Sequence, residues 1–161
     1  MTGLIGTAVP WNALWTGEAR YEVRPCRWAG RLALWQPHAP GSGKPVFADP
    51  HIVRQRQSIA RMLCTVCGQP THAPDRWWFG APDVVDGYRT TTEAPVHRAC
   101  VDHALVVCPH LRGRGSPPMR FPEHWTVLAA FIGGPAVERD FGLSIPADRQ
   151  VVGHLKLAWP A

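Results

Sequence analysis

No apolar run in the 161-residue chain approaches the ~18–20 residues that a membrane-spanning helix needs. Residues Met1 to Pro10 also lack the basic start and long apolar core of a secretory signal. The expectation is a soluble, cytoplasmic protein with no membrane partner. Asparagine occurs only at Asn12, and lysine is nearly absent: fifteen of the seventeen basic residues are arginine. There is no internal repeat and no low-complexity tract. A zinc protease would need His-Glu-x2-His on a helix, and a zinc deaminase a His-x-Glu ahead of Cys64; the sequence has neither.

What is present is ordinary globular material, 45% hydrophobic and 18% charged, with a net charge of +5 and a pI near 9.3. The charge is uneven. Residues 1–63 carry eight Lys/Arg against three Asp/Glu, residues 64–111 three against five, and residues 112–161 six against four. Any basic surface is therefore expected from the flanks and not from the mildly acidic middle. The preference for Arg, Ala, Gly, Pro, Val and Trp over Asn and Lys suggests a GC-rich coding source.

Local patterns place the elements. Alternation around Tyr21/Val23 and Leu32/Leu34 predicts two short strands and a hairpin. Residues 36–45, with three prolines and two glycines, read as a loop. Asp49-Pro50 is a helix-start signal, and Ile52, Ile59 and Met62/Leu63 put one apolar stripe on a helix through 50–63. Arg76 to Phe79 and Tyr88 to Thr92 are strand candidates flanking a turn-rich connector. Pro95 introduces a helix from Val96 to Val107, stopped at Cys108-Pro109. Residues 111–122 read as a basic loop, and Trp125 to Ile132 as either a strand or a short helix. Val151 to Trp159 alternates as a terminal strand.

Five cysteines are too odd a number for a paired disulfide framework, and two of them form Cys64-x2-Cys67. His97-x2-Cys100 follows after a gap of hairpin length. A two-residue gap lets a tight knuckle aim two thiolates at one ion, and a second pair three apart on the first turn of a helix closes a tetrahedron around zinc. Gly68 supplies the permissive backbone that such a knuckle needs. Cys100-x2-His103 has the same spacing and Cys108-x-His110 lies close behind, so His103, Cys108 and His110 are alternative ligands. Cys26 reads as a core or strand residue.

Knuckle, hairpin and helix in this order, with ligands Cys64, Cys67, His97 and Cys100, resemble the treble-clef zinc finger. The same segment, through Cys108-Pro-His-Leu111, is similar to small zinc proteins of actinobacteria and their phages. The resemblance covers about residues 64–108. It implies an α+β protein with a structural Zn2+ and a treble-clef core at 64–111. An N-terminal hairpin and basic helix (1–63) and a C-terminal extension (112–161) would complete one domain.

Treble clefs also occur in HNH-type nucleases, which place a general-base histidine on the hairpin and an asparagine before the helix. Here that region holds only His72, five residues past Cys67, and no asparagine. A non-catalytic binding module in a regulatory, host-interaction or assembly setting is expected. Arg54, Arg56 and Arg61 on the basic helix, with Arg112, Arg114 and Arg120 beyond the zinc module, are candidates for contacting nucleic acid. The eight tryptophans include Trp11/Trp15 and Trp77/Trp78, whose burial local pattern does not guarantee; Trp28, Trp35 and Trp125 read as core. Protein and nucleic-acid partners stay nearly balanced, with protein slightly favoured. Oligomeric state is not legible.

Overall fold

A computed structural model describes residues 9–80, 82–115 and 117–161. Strand β1 (Ala13–Trp15) runs into a 3-10 turn at Thr16–Glu18, followed by β2 (Glu22–Cys26), β3 (Arg31–Trp35), β4 (Pro45–Pro50) and helix α1 (Ile52–Arg61). A second 3-10 turn at Ala73–Asp75 precedes β5 (Trp77–Trp78), β6 (Asp83–Val85), β7 (Tyr88–Thr91), α2 (Arg98–Val107) and α3 (Pro109–Gly113). The chain ends with β8 (Met119–Arg120), β9 (Thr126–Gly133), α4 (Gly134–Phe141) and β10 (Gln150–Pro160). The protein is α+β.

Strand β10 is the axis of the main sheet. Its Val152 lies parallel beside Ala33 of β3, and Leu157 to Pro160 run antiparallel to Tyr88–Thr91 of β7. Val152 and Leu157 also pair with Phe131 and Val127 of β9, which therefore occupies the opposite edge. Being flanked on both edges and covered on both faces, β10 carries a near-continuous apolar run, with Val151, Val152, Leu155 and Leu157 buried. Gly153 sits where the β9 register slips between Val152 and His154. A Cβ there would lie 2.6 Å from Cδ1 of Ile132, so glycine permits the bulge.

The predicted hairpin forms: β2 pairs with β3 from Glu22↔Trp35 to Cys26↔Arg31. The hairpin expected after the knuckle differs. Tyr88–Thr91 pairs with Asp83–Val85 through the two-residue turn Asp86-Gly87, where both φ angles are positive (51° and 79°). Trp77–Trp78 instead pairs with Met119–Arg120. The short apolar Val84-Val85 run and its Asp-Gly turn outweigh the longer Arg76 to Phe79 candidate. The ambiguous segment at 125–132 is strand β9, and helix α4, which sequence pattern did not reveal, follows Gly133.

Asp49-Pro50 does not begin α1. Pro50 is still paired with Ala13, and the His51 N–H donates to Asn12 O at 2.7 Å, so strand pairing holds this stretch extended. His51 is the N-cap, its Nδ1 accepting from Arg54 N at 3.3 Å. At the other end Met62 adopts a left-handed conformation (φ 51°) and turns the chain into the knuckle.

Two of the three arginines of the basic helix are absent from its surface. Arg54 and Arg56 are 1% and 0% exposed. Arg54 forks onto both carboxylate oxygens of buried Glu18, each at 2.8 Å, and also donates to Ala13 O. Arg56 bonds Leu34 O on β3 and Gly153 O at the β10 bulge. Gln55, between them, bonds Thr92 O and both backbone groups of Leu155. Trp78 is the buried hub of the aromatic core, with Phe121 and Trp159 edge-on at 5.5 and 5.4 Å. Trp28 and Trp125 pack half-buried against the same cluster.

Two groups around Arg54 make the fold acid-sensitive. Burial raises the Glu18 pKa, but the Arg54 bond and the Ala39 and Trp15 amides outweigh it and bring the pKa down to about 2. Burial lowers the His51 pKa to about 4, and the neutral ring donates from Nε2 to Pro37 O while Nδ1 accepts. For both groups the unfolded chain binds the proton more readily than the folded one. The stability these two groups contribute is therefore fully present above about pH 6.5 and is lost through His51 between about 6.5 and 4, then through Glu18 between about 4.5 and 2. In urea unfolding series across pH, His51→Gln is expected to flatten the upper part of this decline relative to the parent protein. Glu18→Gln should flatten the lower part.

Candidate metal centre

The knuckle is built by the backbone before any side chain matters. Leu63 bridges Pro70, Cys64 N donates to Gln69 O at 2.8 Å, and Gly68 N donates to Cys64 O at 2.8 Å. Gly68 has φ +74°, a conformation that a side chain strains, and a Cβ there would strike the Trp11 ring at 2.7 Å. The N-terminal segment fastens the knuckle from outside, with Trp11 N donating to Val66 O and Asn12 N to Thr65 O.

The second half arrives on the stretch leading into α2. Trp77 and Val96 exchange both backbone hydrogen bonds, at 2.9 and 2.8 Å, and Thr65 N donates to Pro95 O. These bonds set His97 beside the knuckle. His97 is the N-cap of α2 and not a member of its first turn, as the spacing suggested, while Cys100 lies within that turn.

Cys64, Cys67, His97 and Cys100 thus come together, their ligand atoms all within 4.8 Å of one another. The three cysteines are buried and none is in a disulfide. His97 Nδ1 lies 3.4 Å from Cys67 Sγ and 4.0 Å from Cys100 Sγ. A tetrahedral zinc with ordinary bond lengths requires S···N edges of about 3.6 Å, which these distances bracket. The other ring nitrogen, Nε2, is 3.0 Å from Pro70 O and donates to it. That bond fixes the tautomer and leaves the Nδ1 lone pair facing the thiols, the usual outer support of a histidine metal ligand.

The electrostatics favour an ion. Burial pushes the Cys64 thiol up, and burial followed by the proximity of Cys64 and Cys67 pushes Cys100 up further. Three buried thiolates repel one another unless a divalent cation lies between them. The site also sits at the N-terminal end of α2, whose dipole favours the residual negative charge of a Cys3His centre. Val66, Val96 and Val101, with Trp77, Phe79 and Leu105, wrap the cluster in apolar side chains.

The rival ligands lie outside this group. Cys108 caps α2, His110 is exposed on α3, and half-buried His103 has its Nε2 without a hydrogen-bond partner among the described residues. Cys26 is buried on β2 beside Arg56. The arginine candidates scatter. Arg61, Arg112, Arg114 and Arg120 are exposed, with Arg120 lying over Trp77 and donating to Pro74 O, whereas Arg54 and Arg56 are withdrawn into the core as structural donors. Sequence reading missed their acceptors. The one available sign was an Arg-Gln-Arg run on a helix with apolar neighbours and no acid to balance it.

One metal ion per chain is expected by elemental analysis of purified protein. Cys64→Ser and Cys100→Ser should lose it together with cooperative unfolding, while Cys26→Ser and Cys108→Ser should keep it. Gly68→Ala should retain the metal but lose about 1–3 kcal/mol of stability in denaturant titration, from the left-handed backbone and the Trp11 contact.

No protein-family model, curated protein or solved structure matches this chain, so the donor set and its packing carry the functional argument.

Proposed function

We propose that this protein is a non-catalytic binding module whose fold is completed by a structural zinc ion on Cys64, Cys67, His97 and Cys100. One observation carries the proposal: four protein donors converge, and the free nitrogen of His97 is already engaged by Pro70 O. A tetrahedral ion held this way has no open position for water or substrate. Three thiolates also favour zinc over the hard, oxygen-seeking cations. The chain order of knuckle, β6–β7 hairpin and α2 supports a treble-clef core, although that hairpin is also part of the main sheet through β7 and β10.

A nuclease has little support. His72 is exposed before the short turn at Ala73–Asp75 and lies outside the ligand group. A protein partner in a regulatory or assembly role is favoured by β9. Its eight residues contain no charge, its far edge has no partner strand among the described residues, and Val127, Leu128 and Phe131 are 46%, 45% and 44% exposed. Exposed apolar edge strands are surfaces that proteins cover.

Cobalt substitution tests the closed site. Cobalt(II) protein should show the intense visible bands of tetrahedral thiolate ligation, unchanged by added cyanide or azide. An exchangeable fourth position would shift the spectrum and overturn the structural reading. Plasmid incubated with magnesium or manganese should remain supercoiled, and nicking that disappears in His72→Ala would establish the nuclease instead.

A further inference from the structure

The C-terminal end of α1 and the turn of the β2–β3 hairpin carry cations in stretches of sequence without counter-charges. No acidic residue lies between Glu22 and Asp49, and the next after Asp49 is Asp75. Arg27, Arg31 and Arg61 are exposed, and none belongs to an ion pair among the described residues. Arg24 is nearby, but Glu22 neutralises it at 2.6 Å.

These guanidinium groups are held by aromatic rings. Arg27 lies 4.1 Å and Arg61 5.5 Å from the centroid of Trp28, and Arg31 lies 5.0 Å from that of Phe131. Trp28 is anchored against the buried cluster of Cys26, Ile59 and Met62, so the platform is fixed. A stacked guanidinium keeps its N–H edge free, and less side-chain freedom remains to be lost when that edge meets an acceptor. Arg27 and Arg61 share one ring, and the repulsion between their charges is relieved by an anion that bridges them.

We infer that Arg27, Arg31 and Arg61 form a docking surface for the phosphodiester backbone of nucleic acid. The planar fork of arginine matches phosphate oxygens two at a time, and a polymer supplies phosphates at the spacing that several anchored arginines need. Because guanidinium groups already occupy the Trp28 ring, the surface offers no base-stacking platform, and binding is independent of sequence. The inference takes from the proposed function only that the chain is a binder. It moves the phosphate contacts away from Arg54 and Arg56 and keeps Arg61 alone from that helix.

The test uses the whole 161-residue chain, metal-loaded, and fluorescein-labelled random oligonucleotides, single-stranded and duplex, followed by anisotropy. Three phosphate contacts predict a fall in affinity of roughly 20–40-fold as salt rises from about 50 to about 200 mM. Arg27→Glu/Arg61→Glu should weaken binding at least about tenfold at the lower salt and reduce the salt slope by about 2. Arg112→Ala/Arg114→Ala should weaken it less than about threefold if those side chains make no phosphate contact.

Metal content is measured for every variant. Lost binding with metal retained supports the surface, and Arg27→Gln/Arg61→Gln replaces the charge reversal if that variant fails to fold. Absence of salt-dependent binding, parent-like affinity in the folded variant, or equal competition by poly-glutamate at matched charge would overturn the inference, the last pointing to an acidic protein. None of these results bears on the cobalt spectrum, so this surface and the closed metal site fail independently.

Discussion

Three consecutive side chains of α1, Arg54, Gln55 and Arg56, hold the parts of this protein in register. Consecutive helical residues fan across about 200° of circumference, so burial of all three means that α1 is covered on most of its sides. Each reaches a different neighbour: Arg54 the β1 segment and Glu18, Gln55 the Leu155 backbone and Thr92, Arg56 the diverging β3 and β10 strands. Buried guanidinium groups tolerate such positions only with acceptors, and removing one partner of a buried pair typically costs about 3–5 kcal/mol. These bonds align the N-terminal pair, the main sheet and the helix together.

The candidate metal centre inherits its place from that arrangement. α1 ends at Arg61, Met62 reverses the backbone, and Cys64 follows at once, so the knuckle's position relative to the sheet is set by the helix. From the other side, Trp77 and Val96 bring His97, while Trp78, facing away from Trp77, plugs the aromatic core. The cysteines and the core share one short strand as their hinge. An ion there would tie the chain before β5 to the chain after β7, across the β6–β7 hairpin, whose Val84, Val85 and Tyr88 are all exposed.

If the centre is closed as proposed, function moves to the surface. Two surfaces have opposite character: the uncharged edge strand β9, and the arginines on Trp28 and Phe131 at the hairpin tip. They meet at Phe131, whose ring lies beneath Arg31. If β9 takes a protein and the arginines take phosphate, as proposed, the two surfaces would adjoin at that ring and the chain would act as an adaptor.

The four residues of the candidate metal cluster were legible because their spacing is local. Cys64-x2-Cys67 and His97-x2-Cys100 each fit a turn, and only hairpin-length closure separates the pairs. The β2–β3 hairpin and β10 were legible for the same reason, since alternation is a property of neighbouring residues. What pattern did not reveal depends on residues far apart: the direction faced by Arg54 and Arg56 is decided by carbonyls at positions 13, 34 and 153 and by the Glu18 carboxylate. The strand partner of Trp77–Trp78 lies at 119–120, and the N-terminus of α1 is displaced by pairing between Ala13 and Pro50. Sequence by itself determined the α+β character and which four side chains compose the candidate metal cluster. Tertiary structure alone decided which arginines became core and which became surface, because an arginine's role depends on whether distant acceptors surround it.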